Sequence, residues 1–207
     1  MEQRSPEWFA ARLGKATASR IADIVAKTKT GYSTSRANYL AELLCERLTG
    51  AQADSYVSPA MQWGTDKEPE ALSLYEFQTD DPVEALGFVD HPAITMSGAS
   101  PDGLVGALGL VEVKCPITAT HLDTLLGGSV SGRYHTQIQW QLACTGRAWC
   151  DFVSYDPRVP AHLRLFVQRI SRNNAAIAEL EREVRGFLSE LDAKIETLNG
   201  RYRSEAA

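Results

Sequence analysis

The chain has 207 residues, 44% of them apolar, and a formal net charge of −5. This length and apolar share suit one α/β domain over residues 1–207 and are short for two, while the acidic balance lacks the Lys/Arg excess that usually advertises nucleic-acid binding. There is no membrane-length apolar run, no cationic and apolar leader, and no C-x-x-C spacing among Cys45, Cys115, Cys144 and Cys150; the expectation is a soluble, cytoplasmic protein with free thiols and without a zinc ribbon or iron–sulfur cluster.

In chain order, the pattern predicts helix near 6–13, helix from Ser19 to Ala26, a flexible polar loop from Lys27 to Ser33, and helix from Ser35 to Leu48 ended by Gly50. A longer helix is expected after Trp63-Gly64, running through Glu70, Leu72, Leu74, Tyr75 and Phe77. Strands follow at 85–89, 94–97, 103–105 and 110–115, then helix at 135–145 and strands at 148–155 and 163–170. The last element, about 173–198, carries Ile177, Leu180, Val184, Phe187, Leu188, Leu191, Ile195 and Leu198 on one stripe, which marks a helix packed on its own domain, with a subunit contact left open. Helices flanking a central mixed sheet make an α/β layering. Charge is uneven: residues 1–50 hold eight Lys/Arg against five Asp/Glu, leaving −8 for the remainder. That fits an acidic body with a modestly basic entrance. His91, His121, His135 and His162 stand singly, outside any zinc-ligand spacing.

The run from Gly109 to Pro116, GLVEVKCP, is short, β-branched and bounded by Gly and Pro, so it reads as a strand. Alternation puts Glu112 and Lys114 on one face and Val111 and Val113 on the other. Pro101-Asp102-Gly103 is a turn tripeptide that brings Asp102 round towards Glu112. Two carboxylates suit Mg²⁺, which takes oxygen ligands and keeps several waters, and the Val113 carbonyl is a possible third oxygen if the backbone twists there. Such an ion polarises a phosphoryl oxygen and lowers the pKa of an attacking water, and a lysine beside it stabilises transition-state charge. A turn Asp and an unrelated surface Glu/Lys pair would give the same letters, so the pattern alone leaves both readings open.

The P-D-x9-E-x-K arrangement resembles the PD-(D/E)XK nuclease core, and its surroundings resemble one branch of it, the phage lambda exonuclease or YqaJ-type viral recombinase family. The matching residues are Trp8, Arg12-Leu13-Gly14, Thr17-Ala18-Ser19, Trp63-Gly64 with Glu68, Ser100 to Leu104, Glu112 to Pro116, Tyr134 with Gln137 and Gln139, and Tyr155 to Arg158. The region after about Ser171 carries little of the likeness. The resemblance implies a restriction-endonuclease-like fold and a Mg²⁺ enzyme, with Mn²⁺ as a substitute, that digests double-stranded DNA ends 5′→3′ to mononucleotides and 3′ overhangs. It also implies a ring-shaped homotrimer, a single-strand annealing protein as partner, a role in phage-type recombination, and no membrane.

Asp102 and Glu112, with the Val113 carbonyl, are thus the expected metal ligands and Lys114 the catalytic cation; by the same resemblance Glu68 belongs to the metal site, and Gln137 with Tyr134 to the active-site wall. Tyr134, Gln137 and Gln141 share a helix face by i, i+3, i+7 spacing, and Gln139 points elsewhere. Glu68 has two competing local readings, the end of a capping box from Thr65 or an N-cap ahead of Pro69. Arg12, Ser19 and Ser100 match the family's 5′-phosphate pocket. An arginine fork and free amides at a helix start have the chemistry for it, although a surface arginine and a plain N-cap serine are the local alternatives. Met61 matches an apolar wedge between base pairs and Lys29 a loop that reaches DNA. The rivals are an endonuclease of restriction or repair type, which needs no DNA end, and a non-catalytic DNA-binding relative.

Overall fold

The structure is a computed structural model that describes residues 1–52 and 58–202. Its centre is a five-stranded mixed sheet with strand order β10-β9-β8-β7-β4. The strands are β4 (Val83–Glu84), β7 (Gly103–Val105), β8 (Gly109–Lys114), β9 (Trp149–Tyr155) and β10 (Leu165–Ser171). A three-stranded sheet adds β1 (Ala16–Thr17), β6 (Ser97–Ala99) and β5 (Val89–Asp90), with β1 parallel to β6. Beside them lies a hairpin, β2 (Lys27–Thr28) and β3 (Gly31–Tyr32). The helices are α1 (Pro6–Arg12), α2 (Ile21–Val25), α3 (Thr34–Thr49), α4 (Pro59–Thr79), α5 (Thr118–Gly127), α6 (Gly132–Thr145) and α7 (Asn174–Tyr202). None of the described helices is long and apolar enough to cross a membrane.

The central strands explain the site's position. β8 is buried along all but its last residue and runs parallel to β9. A parallel pair needs a crossover, which here consists of α5 and α6. The alternation of β8 is divided between two cores. Val111 and Val113 pack with Ala71 and Tyr75 of α4, whereas Leu110 packs with Ile138 and Leu142 of α6. The crossover therefore lays α6 over the face that carries Glu112 and Lys114. On its other side β8 pairs with β7 in antiparallel register, Gly103 opposite Val111. Gly103 admits no side chain, because a Cβ there would lie 2.1 Å from Val83 Cγ1 on β4. A third cluster joins α2, α3, α6 and α7 through residues such as Ile21, Tyr39, Trp140 and Phe187.

Several local expectations are corrected. Lys27 to Ser33 is a tight hairpin rather than a flexible loop, tied to α7 where Lys27 Nζ and Tyr32 Oη donate to Glu183 at 2.8 and 2.6 Å. Ser19 lies in the middle of a 3-10 turn (Ala18–Arg20) leading into the five-residue α2, so it is not the N-cap of an eight-residue helix. The strands expected at 85–89 and 94–97 shrink to β5 and β6, displaced towards the C-terminus, and β4 was not foreseen. Nor was α5. The helix expected after Gly64 begins at Pro59, where Ser58 accepts from the Met61 amide and Pro59 takes the first helical position. Both capping roles considered for Glu68 therefore fail, because Thr65, Glu68 and Pro69 lie inside α4. Pro69 removes the amide that the Thr65 carbonyl would accept from, and the helix continues because Ala71 and Tyr75 are anchored in the core.

Candidate active site

A cleft of about 530 Å³ opens between α4, α6 and the ends of β7 and β8, lined by Asp102, Glu112, Val113, Lys114, Tyr134 and Gln137 together with Glu68, Met61 and Arg4. At its floor Asp102 Oδ2 accepts from the Val113 amide at 2.7 Å, which docks the turn onto β8. In an extended strand a residue's N–H and C=O point to the same side, so a Val113 carbonyl that follows its amide would lie on the Asp102 side of β8.

Glu112 is 1% exposed, and a carboxylate so buried persists only with donors around it. Lys114 Nζ and Gln137 Nε2 donate to Oε1, the latter at 2.5 Å, and Gln141 Nε2 donates to Oε2 at 2.5 Å. Tyr134 stacks on Phe152 at 5.4 Å between centroids, and Lys114 Nζ lies 5.5 Å from the centre of its ring. Gln139 points away, donating to the Ser171 carbonyl and accepting from the Asn173 amide. Gln141 shares the helix face of Gln137 one turn on, but its contact with Glu112 exists only once α6 crosses β8.

The cleft is short of positive charge. Burial, and next the Glu112 carboxylate, push the Asp102 carboxyl well above its ordinary pKa. Burial would lower the Lys114 ammonium, but Glu112 and Asp102 outweigh it and hold its pKa above the usual lysine value. Among the described residues no group of three or more His, Cys, Asp or Glu side chains could hold a metal ion. Two carboxylates and a main-chain carbonyl nonetheless fit Mg²⁺, which is commonly held by one or two carboxylates with water and substrate phosphate completing its shell. A cation there would relieve the charge deficit at Asp102.

Glu68 faces the cleft, where its Oε2 accepts from Arg4 Nη2 at 2.8 Å. No sequence signal pointed to Arg4. Its backbone is left-handed, with φ 66°, a conformation that costs a non-glycine residue about 1–2 kcal/mol. Its side chain is 47% exposed, and a surface pair of that kind contributes under about 1 kcal/mol. Stability alone does not account for the arrangement.

A second cavity of about 240 Å³ is lined by Arg12, Ser19, Lys15, Arg20, Tyr39 and Met61 among others. Arg12 lies 4.1 Å from the centroid of the Trp8 ring, and its Nη1 donates to Ser100 Oγ at 3.3 Å; Trp8 Nε1 donates to the same hydroxyl at 2.9 Å. Arg12, Ser100 and Trp8 are thus one cluster, and Ser19, exposed, stands on the rim of the cavity. Burial lowers the Arg12 pKa, yet a guanidinium keeps its charge at neutral pH. Met61 is 57% exposed and lines both cavities, so it is a boundary residue rather than core. Lys29 is exposed in the β2–β3 turn, away from both linings.

A family model, the YqaJ-like viral recombinase domain, matches residues 7–148, which include Arg12, Asp102, Glu112, Lys114 and Gln137. The chain belongs to the YqaJ-like viral recombinase family. An alkaline exonuclease from Laribacter hongkongensis, LHK-Exo, superposes with a TM-score of 0.89 at 52% identity, over 95% of this chain and 97% of that one. The same enzyme in complex with dAMP gives 0.90 and 53% over the same shares. A phage-related exonuclease from Haemophilus somnus 129PT, at 16% identity, covers 89% of this chain and 96% of its own with a TM-score of 0.71, a likeness of fold alone. Among curated proteins no sequence matches. The fold is the PD-(D/E)XK type.

Proposed function

We propose that this protein is a Mg²⁺-dependent 5′→3′ exonuclease acting on the ends of double-stranded DNA, with Mn²⁺ as a functional substitute. The enzyme class, an exonuclease of the viral recombinase family, rests on family membership and on 52% identity to an exonuclease along almost the whole chain. The observation that carries the mechanism is the convergence of Asp102, Glu112, the Val113 carbonyl and Lys114 in one cleft. Bound there, Mg²⁺ would supply Lewis acidity and a water of lowered pKa.

The chain's own residues do the rest. Asp102 and Glu112 supply the negative ligands. Gln137 and Gln141 fix the Glu112 rotamer without adding charge, and Lys114 offers an ammonium to the phosphate as charge builds on it. Arg12 and Ser100, with Ser19 on the rim, receive the terminal 5′-phosphate, and Met61 stands between that pocket and the cleft as an apolar wedge. Lys29 reaches the duplex from its hairpin. The strand left behind is a 3′ overhang, the substrate of a single-strand annealing partner. The reading includes the family's homotrimeric ring, in which each heterologous interface closes after three steps.

Digestion of linear duplex, with or without a 5′-phosphate, beside a covalently closed circle tests this. Mononucleotides released from the 5′ ends of linear DNA, faster with the phosphate, are expected, and the circle should stay intact. Cleavage of the circle would make the enzyme an endonuclease. Light scattering should give three times the chain mass; a monomer at micromolar concentration would remove the ring.

A further inference from the structure

The cleft has a cation that the metal-centred chemistry leaves unused. Arg4 lies on a short strap whose neighbours are pinned. Gln3 Nε2 donates to the carbonyls of Leu86 at 2.9 Å and Pro101 at 2.7 Å, and Ser5 caps α1 by accepting from the Trp8 amide. Met1 packs over Gly87, where a Cβ would come within 2.5 Å of the Met1 carbonyl oxygen. The strap is thereby fastened to the residue preceding Asp102, and between its pins Arg4 is held at φ 66°. Such a conformation persists only where the surroundings over-determine it, and it clusters at functional sites.

The lining charges indicate its use. Arg4 and Lys114 face three carboxylates, Glu68, Asp102 and Glu112. Lys114 pairs with the buried Glu112 at the floor and is the less exposed of the two cations, whereas Arg4 is about half exposed and, among the described residues, its one ion pair is with Glu68. An arginine fork with donors turned to solvent matches a phosphodiester, which a carboxylate-rich cleft would otherwise repel.

We propose that Arg4 is a substrate-binding residue, its guanidinium gripping a backbone phosphate of the strand in the cleft, with Glu68 as the anion that holds it until DNA arrives. The proposal rests on the reading of the cleft as a DNA-cutting site. It differs from the Arg12 pocket in what it reads: Arg4 meets a diester, so its contribution is independent of the terminal phosphate.

Duplex binding by fluorescence anisotropy, in chelator and across a salt series, tests this without turnover. The informative variant is Arg4→Gly, since glycine is at ease at φ 66° and the strap keeps its pins. Its melting temperature should equal or exceed that of the wild type. Its affinity should fall for 5′-phosphorylated and 5′-hydroxyl duplexes alike, with the slope of log K against log salt smaller by about one. Glu68→Gln should tighten binding by freeing the fork, and the gain should vanish in the double variant with Arg4→Gly. Unchanged affinity and slope in Arg4→Gly, or a full gain in the double variant, overturns the proposal while leaving the enzyme reading intact. A wild type that binds no duplex at all overturns both.

Discussion

The cleft and the Arg12 cavity lie on either side of Met61 and are built from different elements. The cleft takes its side chains from a strand buried along all but its last residue and from helices anchored in two cores, and its central carboxylate accepts from three side-chain donors. The Arg12 cavity is backed by buried Tyr39 and Leu43 of α3, but its edge comes from α1, which has no buried residue, and from a 3-10 turn; its arginine leans on an indole and a hydroxyl. Positioning to a few tenths of an ångström is what bond making and breaking demands, so the chemistry belongs on the rigid sheet. Recognition of a chain end makes a looser geometric demand, which elements at the edge of the fold can meet. If this division is right, damage to the cleft should remove turnover, and damage to the cavity should change which ends are used.

The largest effect should come from Asp102→Asn or Glu112→Gln, each expected to reduce mononucleotide release below detection while duplex binding in chelator persists. Lys114→Ala should lower kcat by about 10²–10³-fold, as loss of a group that stabilises transition-state charge does. Calorimetry should still find its metal site occupied, and a collapse of metal affinity would move Lys114 from catalysis to metal retention. Gln141→Leu should reduce activity by about 10–100-fold, the usual cost of losing a residue that orients a metal ligand. Near-normal turnover would mean that Lys114 and Gln137 suffice to fix Glu112. Arg12→Ala should lower the 5′-phosphate preference by about tenfold to a hundredfold, the strength of a hydrogen bond to a charged group, mainly by slowing the phosphorylated substrate. A preserved preference would put the end-binding pocket elsewhere.

The smallest effect is on stability, and its sign distinguishes the two regions. The Asp102 carboxyl has a raised pKa in the folded, metal-free protein, so the folded state binds the proton more tightly than the unfolded chain. Its contribution to stability therefore falls as pH rises from the unfolded pKa through the folded one. Above that window the ionised carboxylate is a burden that bound Mg²⁺ would relieve, so a thermal shift caused by Mg²⁺ should grow with pH. Asp102→Asn should melt higher than the metal-free wild type and respond little to Mg²⁺. Arg12→Ala should retain the Mg²⁺ response in full.

The two regions also differ in how far they were legible. The strand carrying Glu112 and Lys114 follows from alternation and its Gly and Pro boundaries, and the helix face of Tyr134 and Gln137 follows from a local period. Those elements stand where the pattern put them. Regular periodicity says nothing of which helix crosses which strand, so the grip of Gln141 on Glu112 was invisible. Arg12 meets Ser100 across 88 residues, and only family resemblance grouped them. Thr65 to Pro69 imitates a helix start, while the signal of the same kind that begins α4 lies at Ser58-Pro59. Arg4 had no signal, since its role depends on a backbone angle that no residue type announces.

The claim that the carboxylate cleft is the metal-dependent catalytic centre is tested most directly by mononucleotide release from 5′-phosphorylated linear duplex over a Mg²⁺ titration, wild type beside Asp102→Asn. The wild type should show saturable activity that chelator abolishes. The variant, folded and still binding duplex, should stay at the chelator baseline at every Mg²⁺ concentration. Activity of the wild type in chelator, or saturable release by the variant with an ordinary Mg²⁺ midpoint, would contradict the assignment.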